Sequence, residues 1–260
     1  MTEPAASPIT SRQNPLVKAA RALDARKARR ETGMFVAEGL DVIGMALAAG
    51  WPPERLFHRD GASTPLAAAA AGAGSIVHPS SAAVMAALSA MDNPPDAIGV
   101  FRQRLAPAPD PDTARGTWVM LDRLRNPGNV GTILRTAHAV AAEGVILVEP
   151  SCDPFAPECV RASMGSIFRV PIVSVPEDTA LRLVQAWRGS TVALTASGDP
   201  DYRAPAPEPR LLIAGSEGDG LAPALQSAAR RRVALPMPGG TESLNVAIAT
   251  SVMLYALRFP

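Results

Sequence analysis

The sequence predicts an α/β protein, in which a small N-terminal α/β domain precedes a larger domain built on a parallel sheet. Apolar residues make up 47% of the 260 residues, which is enough to form a sizeable core. In the C-terminal half, short continuous apolar runs alternate with helical patterns, as is typical of a parallel sheet covered on both faces. A stretch rich in proline and charge, RLAPAPDPDTARG, separates the halves and predicts a linker. We therefore place one domain at residues 9–104, a linker at 105–116 and a second domain at 117–260.

The N-terminal domain begins with a predicted helix. Asn14 is a favourable N-cap, and Pro15 suits the first helical position. Leu16, Ala20 and Leu23 follow at the spacing i, i+4 and i+7, so they form one apolar stripe. Strand-like stretches follow at residues 34–38, 55–57, 75–77 and 97–103, with helical patterns between them.

Basic residues concentrate in this first helical region. Between residues 11 and 30 there are seven basic side chains and one acidic side chain, Asp24. A basic helical face either lies along nucleic-acid phosphates or is simply solvated. The charge pattern by itself leaves both interpretations open.

The C-terminal domain alternates strands and helices. In open parallel sheets, ligands bind outside the carboxyl ends of the strands. The loops after Leu124, Ala196, Ser216 and Met237 are therefore the candidate binding region. The predicted strands span 118–124, 144–149, 171–175, 191–196, 210–216 and 232–237, and the predicted helices span 127–140, 157–168, 177–188, 221–230 and 243–258.

Composition disfavours several classes of protein. The net charge of +1 does not indicate a partner, and the three histidines are scattered, so no metal site is expected. Cys152 and Cys159 are too few for a disulfide framework or a four-ligand zinc site, and we expect free thiols in a reducing cytosol. The N-terminus is polar, and the longest apolar run, near residues 246–257, is too short to span a bilayer. We expect a soluble, cytoplasmic protein without a membrane partner.

Three loops at predicted strand ends carry distinctive residues. They read LDRLRNPGNVGTILRTAHA from residue 121, LLIAGSEGDGL from residue 211 and LPMPGGTESLNVAIAT from residue 235. None is a phosphate-binding P-loop, because no lysine follows the glycines, and the G-x-G-x-x-G spacing of a dinucleotide site is absent. Each feature alone has a simple explanation: Arg135 as a surface arginine, Glu217 as a complement to a helix N-terminus and Ser243 as a helix cap.

In combination, the loops resemble the SpoU (TrmH-type) RNA 2′-O-ribose methyltransferases of the SPOUT superfamily. The matching motifs are N-x-G-x-I-x-R-T-A, I-x-G-S-E-G-x-G-L and L-P-M followed by S-L-N-V, in that order, with R-A-S-M-G after the first. This resemblance covers residues 118–258. The N-terminal part is similar to the family's accessory substrate-binding domain, through S-x-x-N-P-x-V-K and G-x-F-V-A-E-G.

The resemblance implies a fold and a cofactor that composition and periodicity do not indicate. The fold is a methyltransferase domain with a deep trefoil knot at its C-terminal end. The cofactor is S-adenosyl-L-methionine, bound in a bent form within the knot. An apolar cleft with backbone donors suits the adenine ring of this cofactor. The positions that match or lie beside the family's cofactor contacts are Thr195, Gly215, Leu235, Met237 and Leu244.

The resemblance also implies a catalytic set, and all five positions hold the family's residue: Asn129, Arg135, Glu217, Ser243 and Asn245. The arginine is often described as the base of the reaction. A guanidinium with a pKa above ~12 hardly deprotonates, and a neighbouring phosphate would raise that pKa further. We therefore expect Arg135 to hold an RNA phosphate and stabilise the developing alkoxide, while the proton leaves to phosphate or water.

The resemblance favours RNA binding by the basic N-terminal region. Because aromatic residues are only 4% of the chain, we expect recognition through RNA shape and phosphates rather than base stacking. Family members usually work as homodimers with a shared catalytic site, and we expect the same here. The predicted RNA contacts are Arg12, Lys18, Arg21, Arg26 and Arg29.

The expected reaction is S-adenosyl-L-methionine-dependent methylation of a ribose 2′-hydroxyl in structured RNA. Ribosomal RNA of the 23S type is favoured over transfer RNA. No metal is expected, because the sulfonium of the cofactor is already activated. Three alternatives stay open: a transfer-RNA 2′-O-methyltransferase, a methyltransferase acting on a base nitrogen, and a non-catalytic RNA-binding protein of ribosome assembly.

Overall fold

A computed structural model of the chain describes residues 7–62, 64–216 and 218–259. Contacts divide the chain into two compact units. The first comprises the residues up to Gln103 together with Phe155–Arg169, and the second comprises Arg104–Pro154 and the residues from Val170 onward. A short segment from the second half of the chain thus packs in the first unit. The amino-acid composition does not predict that this segment packs in the first unit.

The first unit contains a four-stranded mixed sheet. Its helices are α1 (Pro15–Ala22), α2 (Arg26–Thr32), α3 (Leu40–Ala48), α4 (Thr64–Gly72) and α5 (Ala82–Leu88), and its strands are β1 (Met34–Glu38), β2 (Arg55–Arg59), β3 (Ile76–Ser80) and β4 (Ala97–Arg102). The strand order is β1-β4-β2-β3. Strand β4 pairs antiparallel with β1 and β2, whereas β2 and β3 are parallel.

The first helix begins as the sequence predicts. The Asn14 side chain accepts a hydrogen bond from the Leu16 N–H at 2.9 Å, and Pro15 is the first helical residue. Of the predicted apolar stripe, Ala20 and Leu23 are buried, whereas Leu16 is half-buried and packs against the same cluster; the buried face also includes Val17. They pack in a hydrophobic cluster with residues of β2, α5 and β4, so the apolar stripe fixes the helix against the sheet.

The basic region forms two short helices, because the chain turns between α1 and α2. Arg29 lies in α2 and is only 4% exposed, because its side chain folds back onto this turn. Its Nη1 donates to the carbonyl oxygens of Leu23 and Asp24, each at 2.8 Å, which satisfies backbone acceptors after α1. Burial therefore removes Arg29 from the basic surface that the sequence predicts. The other four predicted RNA contacts are exposed: Arg12, Lys18, Arg21 and Arg26.

Five aromatic side chains pack together in the first unit: Phe35, Trp51, Phe101, Phe155 and Phe168. The Phe35 ring contacts the other four, with centroid distances from 4.9 to 6.3 Å. Phe168 also lies 4.7 Å from Phe101 and 5.3 Å from Trp51, measured between ring centroids. Two of the five rings, Phe155 and Phe168, come from the segment contributed by the second half of the chain.

The second unit is built on a six-stranded parallel sheet of order β10-β8-β9-β5-β6-β7. This confirms the predicted α/β class with a parallel sheet. The knot that the resemblance implies stays a prediction. Along the chain the remaining elements are β5 (Thr117–Asp122), α6 (Pro127–Ala139), β6 (Gly144–Val148), α7 (Pro157–Ser163, in the first unit), β7 (Ile172–Val175), α8 (Glu177–Ala186), β8 (Ser190–Asp199), β9 (Arg210–Gly215), α9 (Pro223–Ala228), β10 (Arg231–Val233) and α10 (Val246–Arg258).

Helices cover both faces of this sheet. Met120, Ile146 and Ile213 of the central strands pack with residues of α8 and α9 in one hydrophobic cluster. Trp187 lies in the same cluster, and its indole N–H donates to the carbonyl of Pro209 at 3.0 Å. Helices α6 and α10 pack against each other and contact β6 and β9. Among the described residues, no helix is both long enough and apolar enough to cross a bilayer.

Several elements differ from their predicted bounds, among them α7, β10 and α10. Helix α7 ends at Ser163 because Met164 and Gly165 adopt left-handed conformations, with φ of 48° and 84°. A 3₁₀ turn at Ser166–Phe168 follows where the sequence predicts continuous helix. Strand β10 ends at Val233, and α10 begins at Val246, so the residues between them form a loop.

We predict that Phe168→Ala will destabilise the first unit. Phe168 is 5% exposed, and its ring contacts three other aromatic rings, so truncation leaves a cavity costing about 3–5 kcal/mol. Urea denaturation followed by tryptophan fluorescence and circular dichroism measures the change. Met91→Ala is the control, since Met91 is 48% exposed in the same unit and should change stability by less than about 0.5 kcal/mol. Equal midpoints for wild type and Phe168→Ala would contradict this assignment.

Candidate active site

The carboxyl ends of β5, β8, β9 and β10 meet at one edge of the parallel sheet, and their following loops surround a depression there. Helices α6 and α10 both begin at this edge. The N-terminal end of a helix presents unpaired N–H groups and a partial positive charge. Two such ends close together favour an anionic or strongly polar ligand.

Asn126 fixes the start of α6. Its Oδ1 accepts hydrogen bonds from the N–H groups of Gly128 at 2.8 Å and Asn129 at 3.3 Å, and Pro127 is the first helical residue. The cap is therefore Asn126. This leaves the Asn129 side chain, which the sequence predicts to be catalytic, available for another role.

Asn245 fixes the start of α10 and also reaches α6. Its Oδ1 accepts from the N–H groups of Ala247 at 2.9 Å and Ile248 at 3.4 Å. Because the oxygen is used in capping, the amide nitrogen points away from α10 and donates to Asn129 Oδ1 at 3.1 Å. The bond joins two predicted catalytic residues that are 116 positions apart. This bond orients the Asn129 amide, because its oxygen accepts from Asn245.

The larger cavity at this edge has a volume of about 420 Å³. Ser243, predicted to be catalytic, lines it, together with Leu194, Ala214, Leu221, Val246 and Ala249 as apolar walls. The Thr195 hydroxyl is buried and has no hydrogen-bond partner among the described residues. All five predicted cofactor contacts line this one cavity: Thr195, Gly215, Leu235, Met237 and Leu244.

A smaller cleft of about 170 Å³ adjoins the larger cavity. The two share Ser216, Asp219 and Val246 as walls. Asn129 lines the smaller cleft and not the larger one. The arrangement thus offers one space large enough for a cofactor and a second, beside it, that presents the Asn129 amide. The remaining walls of the cleft are Leu124, Arg125, Asn126 and Gly218.

A close backbone contact shapes the loop after β9. A Cβ atom added to Gly215 would lie 2.3 Å from the carbonyl carbon of Gly220, so a larger residue cannot occupy this position without moving the loop. Gly220 has φ of +66°, a left-handed conformation that glycine adopts without strain. The two glycines allow the loop to fold back onto the end of β9.

Asp122 ties the loop after β5 to the start of α9. Its carboxylate is fully buried and accepts from the Ala222 N–H at 2.7 Å. Arg123 donates to both carboxylate oxygens, at 3.0 and 3.1 Å. This pairing raises the pKa of Arg123, first through the hydrogen bond and then through the charge of Asp122. Arg123 has a φ of +52°, which the bidentate contact helps to hold.

One described residue of the predicted catalytic set is not brought to these cavities. Arg135 is exposed on α6 and lines neither of them. It makes no hydrogen bond or ion pair with the residues that the structure describes. Glu217 lies outside the described residues. Sequence reasoning did not select Arg125, Ser216 or Asp219, because single residues of a loop become recognisable only when the fold shows which of them face a cavity.

Comparison with known proteins places both parts of the chain in families. Residues 116–255 match the SpoU rRNA methylase family, and residues 14–99 match an MRM3-like substrate binding domain. The matches cover the larger part of both structural units.

Two relatives of established activity align over almost the whole chain. One is a 23S rRNA (uridine(2479)-2′-O)-methyltransferase of Streptomyces viridochromogenes, 32% identical, with 97% of this chain and 92% of the relative covered. The other is the 23S rRNA (guanosine(2553)-2′-O)-methyltransferase RlmP of Bacillus subtilis, 29% identical, with 96% and 98% covered.

The fold also agrees with a solved structure. The crystal structure of an AdoMet-bound rRNA methyltransferase from Sinorhizobium meliloti superposes with a TM-score of 0.87 at 39% identity, covering 96% of each chain. The sequence motifs, the parallel sheet, the two adjoining cavities and these matches lead to one conclusion: the chain belongs to the SpoU family of RNA 2′-O-methyltransferases.

Proposed function

We propose that the protein transfers a methyl group from S-adenosyl-L-methionine to a ribose 2′-hydroxyl of ribosomal RNA. The observation that carries the proposal is the pair of adjoining cavities, one lined by all five predicted cofactor contacts and the other presenting Asn129. The relatives that act on 23S ribosomal RNA support the choice of RNA.

The residues of the larger cavity fit S-adenosyl-L-methionine. Its volume of about 420 Å³ is within the range of small-molecule sites. Leu235, Leu244 and Met237 provide apolar walls for an adenine ring, and the buried Thr195 hydroxyl has an unmet capacity for a hydrogen bond. When bound, the cofactor supplies an electrophilic methyl group on a sulfonium.

The protein residues position the acceptor ribose. Asn245 fixes the orientation of the Asn129 amide, which lines the smaller cleft and is positioned to contact a polar substrate group. The N-termini of α6 and α10 add partial positive charge where the 2′-oxygen loses its proton. Holding the hydroxyl in line with the methyl group removes much of the entropic barrier to the reaction. Ser243 lies on the wall of the cofactor cavity, and we assign it to orienting the reacting groups.

Arg135 is proposed to act from a second copy of the chain. It is exposed on α6 and lines neither cavity of its own subunit. The neighbouring helix α10 and the residue after it expose an apolar stripe at the spacing i, i+4, i+7 and i+11, which is suited to helix–helix packing. Between 38% and 65% of each of these side chains is exposed: Ile248, Val252, Tyr255 and Phe259. A homodimer through this stripe buries it and brings the α6 helices of two copies near one interface.

The exposed basic residues of the first unit are proposed to hold the RNA. Arg12, Lys18, Arg21 and Arg26 are all exposed, so their charges are available to phosphates. Arg29 is left out of this set because it is buried. The match of residues 14–99 to a substrate binding domain supports this role.

The reaction is tested by methyl transfer from labelled S-adenosyl-L-methionine to unmodified ribosomal and transfer RNA. We expect label on a ribose 2′-oxygen of 23S-type RNA, located by nuclease digestion. Arg135→Ala should lower kcat by at least about 100-fold, since a charged group that stabilises the transition state is lost. Arg188→Ala is the control, because Arg188 is an exposed arginine that lines neither cavity. Label on a base, or on transfer RNA alone, would contradict the proposed acceptor.

The role of Asn245 is separated from helix capping by two substitutions. Asn245→Asp keeps an oxygen that caps α10 but places an acceptor against Asn129 Oδ1. We expect a stability within about 0.5 kcal/mol of wild type and a kcat lowered at least about tenfold. Asn245→Ala should lose both functions, with about 1 kcal/mol of stability lost with the cap. Full activity of Asn245→Asp would show that the bond to Asn129 has no catalytic role.

The homodimer is tested by Tyr255→Glu. A charge in the apolar stripe of α10 is costly to bury, so we expect a monomer by light scattering and the loss of methyl transfer. Leu105→Glu is the matched control, since Leu105 is an exposed apolar residue outside α10. A monomeric variant that retains full activity would rule out a catalytic residue supplied by the second copy.

A further inference from the structure

An ion pair lies across the smaller cleft. Arg125, in the loop after β5, donates from Nη2 to Asp219 Oδ2 in the loop after β9 at 2.9 Å. Both residues line the cleft that presents Asn129, and Asp219 also lines the larger cavity. The pair therefore spans the space into which the acceptor ribose enters under the proposed function.

This pair contributes little to stability. The side chains of Arg125 and Asp219 are 82% and 58% exposed, and ion pairs of this kind are worth less than about 1 kcal/mol. The loop that carries Arg125 is already held by the buried contact between Arg123 and Asp122. Breaking the Arg125–Asp219 pair thus leaves the walls of the cleft in place.

An RNA phosphate can replace the Asp219 carboxylate as the partner of Arg125. Every ribose in RNA has a phosphate next to its 2′-hydroxyl, and Arg125 is four residues before Asn129 on the same wall. The guanidinium fork binds phosphate oxygens in a bidentate manner. Among the described residues lining the cleft, Arg125 carries the positive charge and Asp219 the negative charge, while the rest are neutral.

We propose that Arg125 is a substrate-positioning residue that exchanges Asp219 for the RNA phosphate beside the acceptor ribose. In the free enzyme Asp219 is its counter-ion. When RNA binds, the phosphate replaces Asp219 as the partner of the Arg125 guanidinium, and the Asp219 carboxylate becomes solvated. The inference rests on the proposed function and adds to it the residue that places the acceptor nucleotide.

The exchange predicts opposite effects for the two partners. Arg125→Ala removes the phosphate contact, so RNA binding should weaken by roughly tenfold, with the loss mainly in KM. Asp219→Asn removes the competing carboxylate, so RNA binding should be equal to wild type or tighter. If the pair were only a tether between loops, both substitutions would weaken RNA binding alike. Arg125→Lys keeps the charge without the fork and should retain part of the affinity.

The measurements use the full chain with unmodified 23S-type RNA transcript. RNA affinity is measured by fluorescence anisotropy over a range of salt concentrations, and kcat and KM are measured at saturating cofactor. Cofactor affinity is measured by calorimetry for each variant, because Asp219 also lines the larger cavity. Arg188→Ala and Asp112→Asn form the matched control, since that pair is bonded at 2.7 Å with 67% and 62% exposure in the same unit.

Three results support the inference together. Arg125→Ala weakens RNA binding while the control pair does not. The slope of log affinity against log salt becomes shallower by about 0.7 to 0.9, as for the loss of one phosphate contact. Asp219→Asn binds RNA at least as tightly as wild type.

An Arg125→Ala variant with wild-type RNA affinity and salt dependence would overturn the inference, as would parallel losses in both variants. RNA binding is measured separately from methyl transfer. A failure of the proposed function can therefore be distinguished from a failure of the inference about Arg125. Absence of methyl transfer by the wild-type enzyme contradicts the proposed function. The comparison of Arg125→Ala with Arg188→Ala still decides whether Arg125 contacts a phosphate.

Discussion

The geometry of the site depends on the hydrogen bond from Asn245 Nδ2 to Asn129 Oδ1. An amide has an acceptor end and a donor end, and Asn245 uses both. Its oxygen caps α10, and its nitrogen therefore points at α6. An aspartate would cap the helix equally well but has no donor for Asn129. The starts of two helices are thus joined by one side chain that both accepts and donates hydrogen bonds.

The packing of α6 against α10 makes this bond possible. The two helices are bridged about two turns further along by a hydrogen bond between the hydroxyls of Thr136 and Ser251 at 2.8 Å. Because both helices begin at the carboxyl edge of the sheet, their positive N-terminal ends converge beside the cavities. The same packing leaves the apolar stripe of α10 uncovered, which connects the architecture of the site to the proposed homodimer.

Buried or half-buried arginines and exposed arginines have different functions in this chain. Arg29 and Arg123 are held by backbone carbonyls or by a buried carboxylate, and both stabilise turns. Arg125 and Arg135 are exposed, so their charges remain available to an anionic substrate. Residue type alone does not distinguish the two groups, because arginine satisfies carbonyl oxygens as well as phosphates.

The sequence by itself determined the parallel α/β fold, the cap and first turn of α1, and the loops that carry the site. These follow from local patterns: apolar periodicity, capping residues and glycines at strand ends. The sequence did not reveal that α7 ends at Ser163, since the left-handed backbone at Met164 depends on its surroundings. Nor did it reveal that Phe155–Arg169 packs in the first unit, that Arg29 is buried, or that Arg125 pairs with Asp219. Each of these depends on contacts between residues distant in the chain or on the path of a turn. Only the tertiary structure decides which of these side chains come into contact.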